Sequence, residues 1–345
     1  MPTRFQTPTN DAKKRLVPSA FYKKAFGGSS QEGMSVTAIL TDDMKWKYSS
    51  SAVSVTDKPL DQSLLIYGYG VGRYPSSTSL SDNKVKPCDT LFSTDTRLVN
   101  LEEWLMQLDY AAKNEMSAAD NRLYRIKELI CGNLFPEIQD FSFESSDELH
   151  NYVLFKTKDG KFRYTQLGYG YQSMLSWIVD LCKRMFDAYP NAENPLHEQA
   201  VVLVDEIDLH LHPKWQRDII PYLSAAFPNV QFIVTTHSPL VIQSLTDLNL
   251  YILHRDEEEQ VCIEKAKHEN YSGWTVEEIL RETMRLESDI HSDFYNTTLA
   301  TFNEGINNED KEKAEEAFAI LNKILHPNNP IRRMLELQKN AMEND

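Results

Sequence analysis

A chain of 345 residues is long enough for one large domain or two ordinary ones, and its 41% hydrophobic and 25% charged residues describe a soluble globular protein. No apolar run approaches the roughly 20 residues that span a bilayer, and "MPTRFQTPTNDAKKRLVPSAF" lacks the apolar stretch of a secretory signal, so neither a transmembrane helix nor a secretory signal is expected. The net charge of -15 disfavours nucleic acid over most of the surface, suits a divalent-cation site or basic protein partners, and leaves a local DNA or RNA contact open.

Residues 34–70 read as β-rich, with "MSVTAILTDD", "WKYSSSAVSV" and "SLLIYGYG" separated by turn residues. Residues 74–90 are polar and turn-rich, and read as a mobile surface loop. Two helices follow in "NLEEWLMQLDYAAKN" and "AADNRLYRIKELICGNLF", then three short strands, "FSFE", "YVLFKT" and "KFRYTQL", with "KDG" as a hairpin turn. Beyond Gly170 the pattern becomes helix, strand, helix, strand: an amphipathic "YQSMLSWIVDLCKRMFDAY", a buried "AVVLVD", a helix "PKWQRDIIPYLSAAF" with Pro213 in its first turn, and a second buried strand "VQFIVTTH". Two apolar strands joined by a helix predict neighbouring parallel strands of an α/β sheet. After "LYILHR" the chain reads as charged helices to its end. The four cysteines, Cys88, Cys131, Cys182 and Cys262, form no C-x-x-C pair, which points to reduced thiols in a cytoplasmic protein and no cysteine zinc site.

The chemistry concentrates at two strand ends. Ligands bind at the carboxyl ends of strands in an open parallel sheet. There Asp205 and Glu206 follow "AVVLV", and Thr235, Thr236 and His237 follow "QFIV". Asp205 alone reads as an ordinary strand meeting a turn. Paired with Glu206 it fits a division of labour at a nucleotide, one acid on Mg²⁺ and the other polarising the attacking water. If the strands are adjacent, His237 emerges beside Glu206, where an imidazole can contact a terminal phosphate; the plainer alternative is a satisfied histidine at a strand end. Gly168 and Gly170 precede the long helix, whose N-terminus can face an anion; by themselves they read as turn residues.

Together and in this order, "LGYGYQS", "VVLVDEID", "LHLHP" and "IVTTHSP" resemble the signature loop, Walker B strand, D-loop and switch-histidine loop of ABC-type ATPases in the chromosome-maintenance and RecF-like branch. The match covers roughly residues 165–245. "LLIYGYGVGRYP", "DTLFSTDTRLVNLEEWLMQLDY" and "YSGWTVEEILRETMRL" resemble a narrower group, the AAA-family ATPases of Septu and retron anti-phage systems encoded beside an HNH nuclease. The resemblance implies an α/β fold: an ABC-type ATPase core with a parallel sheet and flanking helices, an antiparallel β-rich N-terminal part and a helical C-terminal tail. It implies ATP and Mg²⁺ as cofactors, with Asp205 on the Mg²⁺ side, Glu206 as catalytic base and His237 as γ-phosphate switch. Leu167, Gly168, Gly170, Tyr171 and Gln172 would cap ATP bound on a second subunit, and Asp208 and His212 would lie at the seam of a homodimer or higher homo-oligomer.

Two departures stand out. Gly168 follows Leu167 where the family has serine, which removes one contact to the γ-phosphate. No G-x-x-x-x-G-K-[ST] occurs in the 345 residues; neither "FGGSSQEGMS" nor "GYGVGRYP" has the lysine or a following helix. The expectation is a chain that starts late, through truncation, an alternative start or a split gene, and that binds ATP poorly alone. Residues 1–254 are then an ATPase domain lacking its phosphate loop: β-rich to residue 72, a loop and helical insert over 73–140, and the lobe with the acid pair over 141–254. Residues 255–345 form a helical region.

The reading is a dimeric, nucleotide-driven switch that controls a separate nuclease in anti-phage defence. Its alternatives are a pseudo-ATPase scaffold or a DNA-repair-type ATPase. "DLHLHP" also admits a zinc or manganese hydrolase built on His210 and His212. Residues 255–345 carry no nuclease-like acidic module, so the apolar stripes of the tail (Val276, Ile279, Leu280 and Met284; Ala317, Phe318, Leu321 and Ile324; Ile331, Met334, Leu335 and Leu337) are read as a docking surface for that partner.

Overall fold

A computed structural model of the chain describes residues 35–39, 45–49, 65–76, 86–93, 96–148, 150–244, 249–286 and 291–341. In chain order, the strands and helices begin with β1 (Ser35–Ile39), β2 (Lys45–Ser49), β3 (Leu65–Tyr69), α1 (Leu101–Lys113), α2 (Ser117–Ile130), β4 (Asp140–Ser145), β5 (Asn151–Thr157), β6 (Gly160–Arg163) and α3 (Tyr169–Ala188). They continue with β7 (Ala200–Val204), α4 (Pro213–Ala226), β8 (Val230–Val234), α5 (Pro239–Gln243), β9 (Tyr251–Arg255) and β10 (Val261–Lys265). Four helices complete the series: α6 (Val276–Glu282), α7 (Asp293–Asn307), α8 (Lys311–Ile324) and α9 (Pro330–Ala341). The chain divides into two compact units, Met1–Val241 and Ile242–Asp345.

The fold is α/β, with one parallel and several antiparallel sheets. In the first unit β3, β7 and β8 form a parallel sheet in that order. All five residues of β7 are buried, as a central strand covered on both faces requires. The register aligns Tyr69 with Val204 and Val204 with Val234, so the three strands end in step. The β-rich stretch of the sequence is therefore divided. β1 and β2 pair antiparallel, whereas "LIYGY" joins the parallel core. Residues 77–85 of the expected loop lie outside the described residues. Its second half is packed against β3: Gly68 N donates to Pro87 O at 2.9 Å, Thr90 Oγ1 donates to Gly68 O at 2.7 Å, and Cys88 and Thr90 are buried.

Helix α3 departs from the amphipathic expectation, because its middle is buried all round from Met174 to Cys182. Trp177 meets the Tyr69 ring at 5.4 Å. On the same helix Asp180, 3% exposed, accepts from Tyr69 Oη at 3.0 Å and Arg184 Nε at 2.6 Å. The Val99 amide donates to its other oxygen at 3.3 Å. β4, β5 and β6 form the expected antiparallel meander, whose turn uses Gly160 at φ 137°.

The second unit holds a strand pair that the sequence reading missed, β9 with β10, before its helices. Tyr295, Phe302, Ala314, Ala317, Leu321, Leu325 and Leu335 form the core of α7, α8 and α9. Among the described residues no helix is long and apolar enough to cross a membrane.

Candidate functional site

Because β3, β7 and β8 end in step, Gly70–Arg73, Asp205–Glu206 and Thr235–His237 emerge along one edge of the sheet. The ladder continues one residue further: Asp205 N donates to Tyr69 O at 2.8 Å and Thr235 N to Val204 O at 3.0 Å. At Glu206 the backbone turns left-handed, with φ 52°. For a residue with a Cβ that conformation costs about 1–2 kcal/mol, so it persists only where surrounding contacts enforce it. They do so here. Glu206 N donates to Thr235 Oγ1 at 2.8 Å, and that hydroxyl donates to Asp205 Oδ1 at 2.6 Å. Leu209 N donates to Glu206 O at 3.0 Å, closing the turn.

The turn aims the Glu206 carboxylate at the next strand, 3.5 Å from His237 Nε2. The imidazole is 87% exposed and the carboxylate 30% exposed. A contact so open contributes little stability by itself and leaves both groups accessible to a ligand.

The residue that sequence reasoning missed is Arg73. Its guanidinium lies under the acid pair at 2% exposure. Nη2 donates to the backbone oxygen of Asp205 and, at 2.5 Å, to that of Glu206; Nε donates to Gly70 O at 2.8 Å. Burial lowers its pKa to about 10, against the opposing pull of Asp205, Asp208 and Glu206, so it stays a cation at neutral pH. Nη1 is buried without a partner among the described residues, a deficit of about 1–3 kcal/mol for such a group. The glycines of "GYGVGR" serve this arrangement. A Cβ on Gly70 would stand 2.1 Å from Thr90 O, so the backbone there can only be glycine. An arginine closing a glycine run after a core strand was the available signal.

Behind the acids, Asp208 accepts from Thr236 Oγ1, and His210 adopts φ 63°. His212 caps α4 through Nδ1, which accepts from Lys214 N at 3.3 Å. The Leu167–Gln172 loop packs beside this turn. A Cβ on Gly170 would meet His210 O at 2.5 Å, whereas nothing lies within 4 Å of one on Gly168. Leu167 is buried, Tyr171 packs on Trp215 at 4.7 Å, and Gln172 Nε2 donates to Leu167 O at 2.6 Å. Of the loop residues singled out in the sequence, Gly168 is thus the open one. Among the described residues no hydrogen bond or ion pair joins this loop to Asp205, Glu206 or His237. Gly170→Ala is expected to lower stability by about 1–3 kcal/mol through overpacking, while Gly168→Ala stays within about 0.5 kcal/mol of wild type. Urea unfolding of the two variants checks the contrast; equal midpoints would contradict it.

The acid pair and the threonine hydroxyls offer oxygen donors, which suit a hard cation such as Mg²⁺ that keeps waters and needs only one or two carboxylates. Among the described residues no group of three His, Cys, Asp or Glu side chains converges to hold a metal by itself. His210 meets the Tyr169 ring at 6.3 Å and His212 is spent on its cap, so the pair lends no support to the metal-hydrolase alternative.

A parallel sheet thus presents an acid pair and a histidine from adjacent strands, beside a glycine-led helix, at the strand ends where open α/β sheets bind their ligands. The chain matches, over residues 64–243 and so just over half its length, the family described as "AAA domain, putative AbiEii toxin, Type IV TA system", and it belongs to that family. It is 32% identical over 229 residues to the Septu protein PtuA of Bacillus thuringiensis, covering 65% of this chain and 57% of that protein. It is 34% identical over 183 residues to the "Retron Ec83 probable ATPase" of Escherichia coli, covering 52% of this chain and 33% of that protein. The matches thus span between about a third and somewhat over half the length of these curated relatives. Among solved structures, the SMC head domain from Thermotoga maritima aligns with a TM-score of 0.30 at 11% identity, over 68% of this chain and 70% of that one.

Proposed function

We propose that this chain is the ATP-hydrolysing part of a cytoplasmic anti-phage defence ATPase that dimerises on ATP and controls a partner nuclease of the HNH type. The observation that carries the reading is Glu206, held left-handed at the end of β7 with its carboxylate 3.5 Å from His237. A strained acid paired with an exposed imidazole at a strand end is costly as decoration and useful as chemistry. The similarity to Septu and retron proteins supports the defence setting.

In this reading Glu206 takes the proton of the attacking water, and His237 hydrogen-bonds the terminal phosphate and reports its presence. Asp205, oriented by Thr235, would hold Mg²⁺, which when bound would neutralise phosphate charge. The Leu167–Gln172 loop meets ATP on a second copy, with Gly168 foremost because its face is open. No G-x-x-x-x-G-K-[ST] occurs within these 345 residues, so turnover in this reading needs a phosphate loop that they do not supply. Exposed Ile324, Met334 and Leu337 of the C-terminal helices support docking of the nuclease there.

The missing motif favours one second reading, a scaffold that binds the partner without turning over ATP. Light scattering separates the two. With the phosphate loop present, Glu206→Gln should shift from monomer to dimer in saturating ATP and Mg²⁺; a protein that stays monomeric supports the scaffold.

A further inference from the structure

We infer that Arg73 is a positioning residue for hydrolysis, setting the orientation of the Asp205–Glu206 turn from beneath. The inference rests on the ATPase reading above and adds a residue that it does not contain. A single guanidinium nitrogen bridges the backbone oxygens of both acids, while Nε is tied to Gly70 O. The peptide between Asp205 and Glu206 is therefore clamped from two sides, by Arg73 at its oxygen and by Thr235 Oγ1 at the Glu206 amide. Gly70 in turn packs on Thr90, so a rigid chain of contacts runs from the segment beside β3 to the catalytic strand end.

The charge matters as well as the fork. Asp205, Glu206 and Asp208 surround the buried Arg73 guanidinium, and their charges oppose the lowering of its pKa by burial. Arg73 lies under the backbone, so it acts through Glu206 and has no expected share in nucleotide affinity. Lysine would keep the charge, but one ammonium cannot reproduce the fixed fork that reaches Gly70 and both acids.

The test compares Arg73→Met and Arg73→Lys with wild type and Glu206→Gln, all in the protein carrying its phosphate loop. ATP affinity, single-turnover rate and melting temperature are read for each. Misplacing a reacting group by about 1 Å costs on the order of 10²-fold in rate. Arg73→Met should therefore lose about that factor in turnover with ATP affinity within about threefold of wild type, and Arg73→Lys should fall between. Removing Arg73 from the Glu206→Gln protein should add little, since the group it positions is already disabled. Wild-type turnover in Arg73→Met overturns the inference. So does a parallel fall of affinity, turnover and melting temperature, which marks a structural role only. If Arg73→Met does not fold, Arg73→Lys decides: unchanged turnover overturns the inference, and a loss of about tenfold or more at unchanged affinity supports it. Near-normal turnover in Glu206→Gln defeats the ATPase reading itself, an outcome distinct from any result at position 73.

Discussion

Glu206→Gln is expected to lower ATP turnover by about 10²–10⁴-fold while leaving ATP and Mg²⁺ binding close to wild type. The amide is nearly isosteric and can still approach His237, but it cannot accept the proton of the attacking water. Asp205 and its Thr235 hydrogen bond are untouched, so the cation side of the site survives. The left-handed turn survives too, because Thr235 Oγ1 and Arg73 hold its backbone rather than its side chain. Single-turnover hydrolysis beside an equilibrium binding titration, in protein with its phosphate loop, separates the two effects. Turnover within a few-fold of wild type would remove Glu206 from the chemistry.

Asp180→Ala is expected to have the largest effect on stability, about 3–5 kcal/mol, the cost of breaking a buried ion pair by removing one partner. Asp180 is 3% exposed and Arg184 is shielded beside it, their side chains meeting at 2.6 Å. Deleting the carboxylate leaves the buried Tyr69 hydroxyl and the Val99 amide without their acceptor and takes the opposing charge from Arg184. Because Tyr69 is the last residue of β3, the strand leading to Gly70 and Arg73 loosens with it. Asp180→Asn keeps the shape and part of the hydrogen bonding, and should lose less. Urea unfolding at constant m-value measures both; a loss below about 1 kcal/mol in Asp180→Ala would show that the pair is no better than a surface one.

Much of the architecture is legible in local pattern. The apolar run "AVVLV" identifies a buried parallel strand and "KDG" marks its hairpin, because burial and turn geometry act on neighbouring residues. By contrast β8, read as a second buried strand, is parallel but only half-buried along its length. Strand β10 escaped notice for the same local reason. "VCIEK" alternates weakly and sits among charged residues, and Val261 and Ile263 are exposed rather than covered. Helix α3 looked two-faced because Ser176 and Asp180 interrupt its apolar residues. Its polar groups are buried and satisfied by partners distant in sequence, which periodicity cannot register.

The sequence by itself determined which chemical groups are available: two adjacent acids at one strand end, a histidine at the next, and glycines ahead of a helix. Only the tertiary structure decided their use. The register of β7 against β8 brings Glu206 to His237, and the register of β3 against β7 brings Arg73 under the acid pair. Tertiary packing also spends Gly170 on the turn behind the acids and leaves Gly168 open. The reason is physical. Apolar runs and turns are set by forces between near neighbours, whereas a buried cation on a carbonyl, or a glycine under another loop, exists only once distant segments meet.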